Sequence, residues 1–129
     1  MAIIMDISAD RLINALIQVE SDGDIFAIGD KDLKNKAYGC LQIRQPVVDD
    51  VNRVLGTNNK AEDMLGNKEL SVIVFKAYMD LYATEKRLGR PVTDEDRARI
   101  WQGGPNGWRK NITKSYAQKV SMILKQNYA

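Results

Sequence analysis

Histidine is absent from the 129 residues, and cysteine occurs once. The first absence removes Ser-His-Asp hydrolysis, Cys-His nucleophilic chemistry, HExxH zinc sites and His-bearing zinc fingers. Acid–base catalysis near neutral pH then falls to carboxylates, lysine or tyrosine. A single cysteine closes no internal disulfide, so Cys40 is a free thiol. Long apolar runs are missing too. The stretch around Val72–Phe75 falls well short of a membrane span. Met1–Ile7 has no basic segment leading into an apolar one, so it does not read as a signal peptide. Charge of one sign is also scarce. Nineteen basic against 17 acidic residues leave +2, and the basic residues read as scattered, which argues against a nucleic-acid partner.

What remains is enough for one domain spanning 1–129, because two would leave each half too short for its own core. Residues 8–19 carry Leu12, Ile13, Leu16, Ile17 and Val19 at helical spacing, with Ser8 or Asp6 as the cap. Residues 22–40 are the least helical part. Gly23, Gly29 and Gly39 punctuate them, and strands within 25–28 and 36–43 predict a small irregular hairpin. Pro46 starts a helix that runs to Leu55 and stops at Gly56, with Val47, Val48, Val51, Val54 and Leu55 facing inward. A short turn of helix follows at 61–65. Residues 69–88 are apolar on several sides and predict a central buried helix ending at Gly89. Thr93, followed by Asp94, Glu95 and Asp96, caps a helix to Trp101. A last helix covers about 113–126. The fold class is mainly α, a compact helical domain around a central helix, with one β-hairpin after the first helix.

Glu20 is the carboxylate that stands out. It ends an apolar helical face, where the helix dipole disfavours its charge and apolar neighbours can keep it protonated. A protonated carboxyl is what a glycosidic oxygen needs in order to leave. The alternative is a solvated helix-end residue. Asp22, Asp24, Asp30 and Asp32 suggest a calcium loop, but Lys34 and Lys36 stand where a closing glutamate is required, so no metal is expected. Asp30 or Asp32 can instead partner Glu20. Gly103–Gly107 lacks a GKS/T signature and is not a phosphate loop. Trp101 and Trp108 flank it, and with Tyr78, Tyr82 and Tyr116 they are either core or platforms for sugar rings. Cys40, between Gly39 and Leu41, reads as a small buried hydrophobe.

Three motifs, in order, resemble the goose-type lysozyme and soluble lytic transglycosylase branch of the lysozyme-like superfamily. They are Leu12–Ser21, ending in Glu-Ser; Ala37–Ile43, similar to that branch's Gly-Leu-Met-Gln-Ile/Val; and Trp101–Gly107, similar to its Tyr-Asn-x-Gly-Pro-Gly. Tyr116 matches the aromatic residue that comes shortly before Lys119-Val120 of the terminal helix. The resemblance implies an α+β lysozyme-like fold acting on peptidoglycan, without a cofactor. Glu20 would protonate the oxygen between N-acetylmuramic acid and N-acetylglucosamine. Ser21 would hold its loop or contact the sugar. Tyr38, Gly39, Gln42 and Ile43 would line the cleft wall. Tyr78, Trp101, Gln102, Gly104, Asn106 and Tyr116 complete the implied substrate-binding set.

The departures are also informative. Gln102 stands for an asparagine, Trp101 for a tyrosine, and Arg44 for the aspartate that goose-type enzymes carry after Gln-Ile/Val. An inverting hydrolase needs a second carboxylate, for which Asp30 and Asp32 are the candidates. Without one, Glu20 alone would serve a lytic transglycosylase: it gives its proton to the leaving oxygen and takes one from the C6 hydroxyl. The competing expectation is a lysozyme-like module that binds peptidoglycan without turnover. The lack of a membrane-length apolar run reads as a soluble protein, expected as a monomer. With no signal peptide it suits a bacteriolytic, antimicrobial enzyme such as an endolysin or a secreted cell-wall enzyme. Holin-type release or dedicated secretion would bring it to the wall.

Overall fold

A computed structural model describes residues 7–128, with the side chains of Ile7, Ser8 and Tyr128 left aside. The chain runs α1 (Ile7–Ser21), β1 (Ile28–Gly29), β2 (Ala37–Tyr38), α2 (Gln45–Leu55), α3 (Lys68–Tyr82), α4 (Glu85–Leu88), α5 (Asp94–Gly103) and α6 (Lys114–Tyr128). Single 3-10 turns lie at Ala61–Met64, Gly107–Arg109 and Asn111–Thr113. Of the α1 cap candidates, Ser8 lies within the helix rather than at its cap, and Asp6 lies outside the described residues.

Local chemistry sets most of the boundaries. Pro46 sits in the first turn of α2, where its missing N–H costs nothing, and Gly56 ends the helix in the left-handed region. At α5 the Thr93 hydroxyl accepts from the Asp96 N–H (3.1 Å), and the Asp96 carboxylate accepts from the Thr93 N–H (2.9 Å). This reciprocal cap satisfies two orphan donors at once. Arg90 grips the same buried carboxylate with both terminal nitrogens, at 2.6 and 2.8 Å. That holds the Asp96 pKa down at about 2, against the opposing effect of burial and with help from the Thr93 cap.

Two expectations need correction. The helix over 69–88 is two helices, because Ala83 leaves helical geometry and the Thr84 hydroxyl accepts from the Arg87 N–H (3.2 Å) to start α4. On α2 only Val48 and Val51 are buried, with Val47 packed beside them. Val54 (56% exposed) and Leu55 (48%) have turned past the core edge.

The core is one connected cluster. It joins Leu12, Leu16 and Ile17 of α1 to Val48 and Val51 of α2, Val74, Phe75 and Tyr78 of α3, and Ile100 of α5. The two-residue strands pair antiparallel, Ile28 with Tyr38 and Gly29 with Ala37. Tyr38 also bridges back to Ile43. Leu41 and Ile43 are fully buried and carry this small β element onto the helices.

Candidate active site

Glu20 lies one residue before the end of α1, partly buried. Its Oε2 accepts a hydrogen bond from the Tyr116 hydroxyl of α6 at 2.7 Å, across 96 residues of chain. Burial is the main influence on the carboxyl and drives its pKa up to about 7. The Tyr116 bond and the positive charge of Arg44 oppose the rise, and the negative charge of Asp30 adds to it. The tyrosine is pushed far above its ordinary value by burial, by the Glu20 charge and by the bond it donates. It therefore stays a donor throughout the accessible pH range. Oε1 accepts no hydrogen bond among the described residues, which leaves one carboxyl oxygen to carry an acidic proton.

The segment 37–43, which Ser21 joins to the end of α1, is pinned from several directions. The Ser21 hydroxyl lies within hydrogen-bond reach of the Cys40 carbonyl (2.8 Å) and the Ile17 carbonyl (3.1 Å). The Trp101 indole N–H donates to the Leu41 carbonyl at 3.2 Å. Gln42 adopts φ +53° and donates through Nε2 to the carbonyls of Gly39 (3.0 Å) and Ala27 (3.3 Å). Two glycines make this packing possible. Gly39 has φ +80°, and a Cβ there would meet the Met64 carbonyl oxygen at 2.7 Å; a Cβ on Gly29 would strike the Gln42 side-chain oxygen.

Arg44 closes the far side. Its guanidinium forms an ion pair with Asp30 and donates to the Asn35 carbonyl (2.6 Å), tying the two ends of the 30–35 loop together. Asp30 is thus the second carboxylate whose charge registers at Glu20, and it is already partnered. Asp32 is exposed on the same loop and does not figure among the influences on Glu20.

The remaining sequence candidates divide by burial. Ile43 (0% exposed) and Tyr78 (3%) belong to the core and cannot touch a bound polymer. Tyr78 stacks edge-on to Tyr82 and Trp101, at 4.9 and 5.7 Å between centroids, and burial raises its pKa to about 12. Gly39 is buried and serves the turn. Tyr116 is a partner of Glu20 and, being 8% exposed, offers no ring face to a sugar. Tyr38, Gln42 and Trp101 keep part of their surface, and Gln102 and Asn106 are exposed. Gly104 ends α5 with φ +87°. Cys40 is buried, with its thiol pKa pushed up by desolvation.

Two residues escaped the motif reading. Arg87 donates to the carbonyls of Tyr82 (2.6 Å) and Pro105 (3.0 Å) and to the Asn106 side-chain oxygen (3.2 Å), fastening the 103–107 turn to the end of α3. Asp50 accepts from the Tyr82 hydroxyl (2.8 Å) and holds that ring in place. Only the charge of these residues was visible in the sequence. Among the described residues no group of three or more His, Cys, Asp or Glu could hold a metal ion.

No protein-family model and no curated protein matches the chain. Solved structures do. A chain of the complex of Aeromonas hydrophila PliI with Meretrix lusoria lysozyme is 24% identical with a TM-score of 0.73. Inhibitor-bound lysozyme from Meretrix lusoria gives the same values, and Tapes japonica lysozyme is 23% identical with a TM-score of 0.72. Each likeness covers 88% of both chains. The chain therefore has a lysozyme-like α+β fold.

Proposed function

We propose that this chain cleaves the β-1,4 bond between N-acetylmuramic acid and N-acetylglucosamine in peptidoglycan, with Glu20 as general acid. The observation that carries the reading is the Glu20 carboxyl itself, partly buried, bonded to Tyr116 through one oxygen and with its pKa raised to about 7. An acid poised at the working pH both holds its proton and gives it up readily. Tyr116 fixes the rotamer of the carboxyl, so the free oxygen meets the leaving group without reorganisation. As the glycosidic bond breaks, its electron pair goes to the oxygen that takes the Glu20 proton, and positive charge develops on the sugar.

Asp30 is the second carboxylate of this reading. It is ion-paired with Arg44, and it is the carboxylate whose charge acts on Glu20. It would stabilise the cationic sugar or activate water, which makes the enzyme a hydrolase. A lytic transglycosylase of the branch the motifs resemble is the second reading, favoured by the charge that Arg44 cancels. There Glu20 retrieves its proton from the C6 hydroxyl, and a 1,6-anhydro sugar forms. Tyr38, Gln42, Trp101, Gln102 and Asn106 keep exposed surface and would meet the glycan. The protein acts as a single-domain monomer at the bacterial wall, as an endolysin would, and takes no nucleic-acid partner. No helix among the described residues is long and apolar enough to cross a membrane.

Mass spectrometry of muropeptides released by the wild type, Glu20→Gln and Asp30→Asn tests this. Reducing ends from the wild type, lost in both variants, support the hydrolase. Anhydro ends that persist in Asp30→Asn select the transglycosylase. Release undiminished in Glu20→Gln would end the catalytic assignment.

A further inference from the structure

The charge of this chain is divided along its length. None of the 17 acidic residues lies beyond Asp96, whereas seven of the 19 basic ones do, leaving residues 1–96 with 12 basic against 17 acidic. The small overall charge hides an acidic part followed by a basic one. Pairing does not consume the basic excess. Asp94 and Asp96 are taken by Arg97 and Arg90, and Lys114, Lys119 and Lys125 make no ion pair among the described residues.

Helix α6 sorts these lysines onto one side. Tyr116, Ala117 and Val120 are buried on its inner face, with Ile123 and Leu124 packed beside them. Helical spacing places Lys114, Gln118, Met122 and Lys125 on the opposite face, with Lys119 at its edge, and all are exposed. Met122 is 60% exposed, and Ile112, in the turn that leads into the helix, is 83% exposed. Lysines around exposed apolar tips are suited to a lipid interface, with cations for headgroup phosphates and apolar atoms for the acyl boundary. A hydrated polyanion would answer the lysines and leave Ile112 and Met122 without a partner.

We propose that the outer face of α6, together with Ile112, docks the protein on an anionic phospholipid bilayer. Binding is peripheral and needs no spanning segment. Tyr116 and Glu20 lie on the far side of α6 from such a bilayer. On the function proposed above, that side meets a polymer lying over the membrane. This last consequence rests on that reading, whereas the docking does not.

The experiment is co-sedimentation of the full chain with phosphatidylglycerol or phosphatidylcholine vesicles, at low and high ionic strength. The wild type is expected to bind the phosphatidylglycerol vesicles alone. The triple variant Lys114→Gln/Lys119→Gln/Lys125→Gln should partition roughly a hundredfold less, since each lysine near an anionic surface contributes about fivefold. Ile112→Ser/Met122→Ser should also weaken binding to the phosphatidylglycerol vesicles, and high ionic strength should weaken it in every variant that keeps the lysines. Circular dichroism checks that both variants fold, and their substitutions leave the inner face of α6 untouched. Failure of the wild type to bind, or full binding by the triple variant, overturns the proposal. So does competition by soluble polyphosphate combined with no effect of the Ile112/Met122 pair, which would point to polyanions in general. Vesicle binding by a wild type that cleaves no peptidoglycan would retain the docking face and reject the function.

Discussion

Replacing Glu20 with glutamine should change the pH dependence of stability in a way that needs no substrate. The ordinary carboxyl value is 4.5, and in the folded protein burial raises it to about 7. Below pH 4.5 the carboxyl is protonated in both folded and unfolded chains, so its contribution to stability is fully present. Between 4.5 and 7 the unfolded chain ionises while the folded one holds its proton, and stability falls by about 1.4 kcal/mol per pH unit. Above about 7 the loss levels off at about 3 kcal/mol. Glutamine cannot ionise, keeps the volume, and can still accept the Tyr116 hydrogen bond through its amide oxygen. Urea unfolding of both proteins at a series of pH values is the assay. The variant should gain on the wild type steadily from pH 5 and lead by about 3 kcal/mol at pH 8, a midpoint shift of about 1–3 M urea for a domain of this size. Parallel curves across that range would show that Glu20 ionises as freely folded as unfolded, and would refute the reasoning.

Other substitutions probe the groups around it. Tyr116→Phe removes the bond that favours the ionised carboxyl, so the Glu20 titration followed by carbon-13 NMR should move above 7. The same change should cost about 1 kcal/mol in urea unfolding. Arg44→Met removes a positive charge near Glu20 and frees Asp30, so the falling alkaline limb of the activity profile should move to higher pH, and Arg44→Lys should restore it in part. Asp96→Asn breaks the paired grip of Arg90 on a buried carboxylate and should cost about 1–3 kcal/mol at neutral pH. Asp96 has a depressed folded value of about 2, so its contribution is present above pH 4 and is lost as the pH falls toward 2. The stability gap between the wild type and Asp96→Asn should accordingly narrow as the pH falls from 4 toward 2.

Local signals explain where the fold was legible in the sequence. Pro46 with Gly56, and Thr93 with Asp96, are contacts within a few residues, and their positions carry their meaning. The break at Thr84 had such a signal in its cap to Arg87, but the apolar run through Leu81 and Tyr82 and the orderly Lys86–Gly89 ending concealed it. Val54 and Leu55 have the apolar spacing of a core face; their exposure depends on where α2 leaves its neighbours, which no periodicity encodes. The candidate site was only partly legible. Glu20 was marked by an apolar helix face running up to a carboxylate. Its bond to Tyr116 joins residues 96 apart, and Tyr116 looked like a core or sugar-stacking aromatic. Motif resemblance also overextended the cleft wall. Ile43 keeps its motif position, and the aromatic candidate Tyr78 its helical spacing, while both face inward, since side-chain direction is set by packing rather than by order along the chain. Arg44 was noticed as a departure, but its grip on both ends of the 30–35 loop became visible only in three dimensions.

The central claim is that Glu20 delivers the proton that breaks the glycan. The most direct measurement is kcat/KM on purified peptidoglycan against pH, for the wild type and Glu20→Gln. The wild-type rate should fall through a pKa of about 7 on the alkaline side, and the variant should show no measurable turnover at any pH where it is folded. A variant that retains the wild-type rate, or a wild-type profile that stays flat through pH 7, would contradict it.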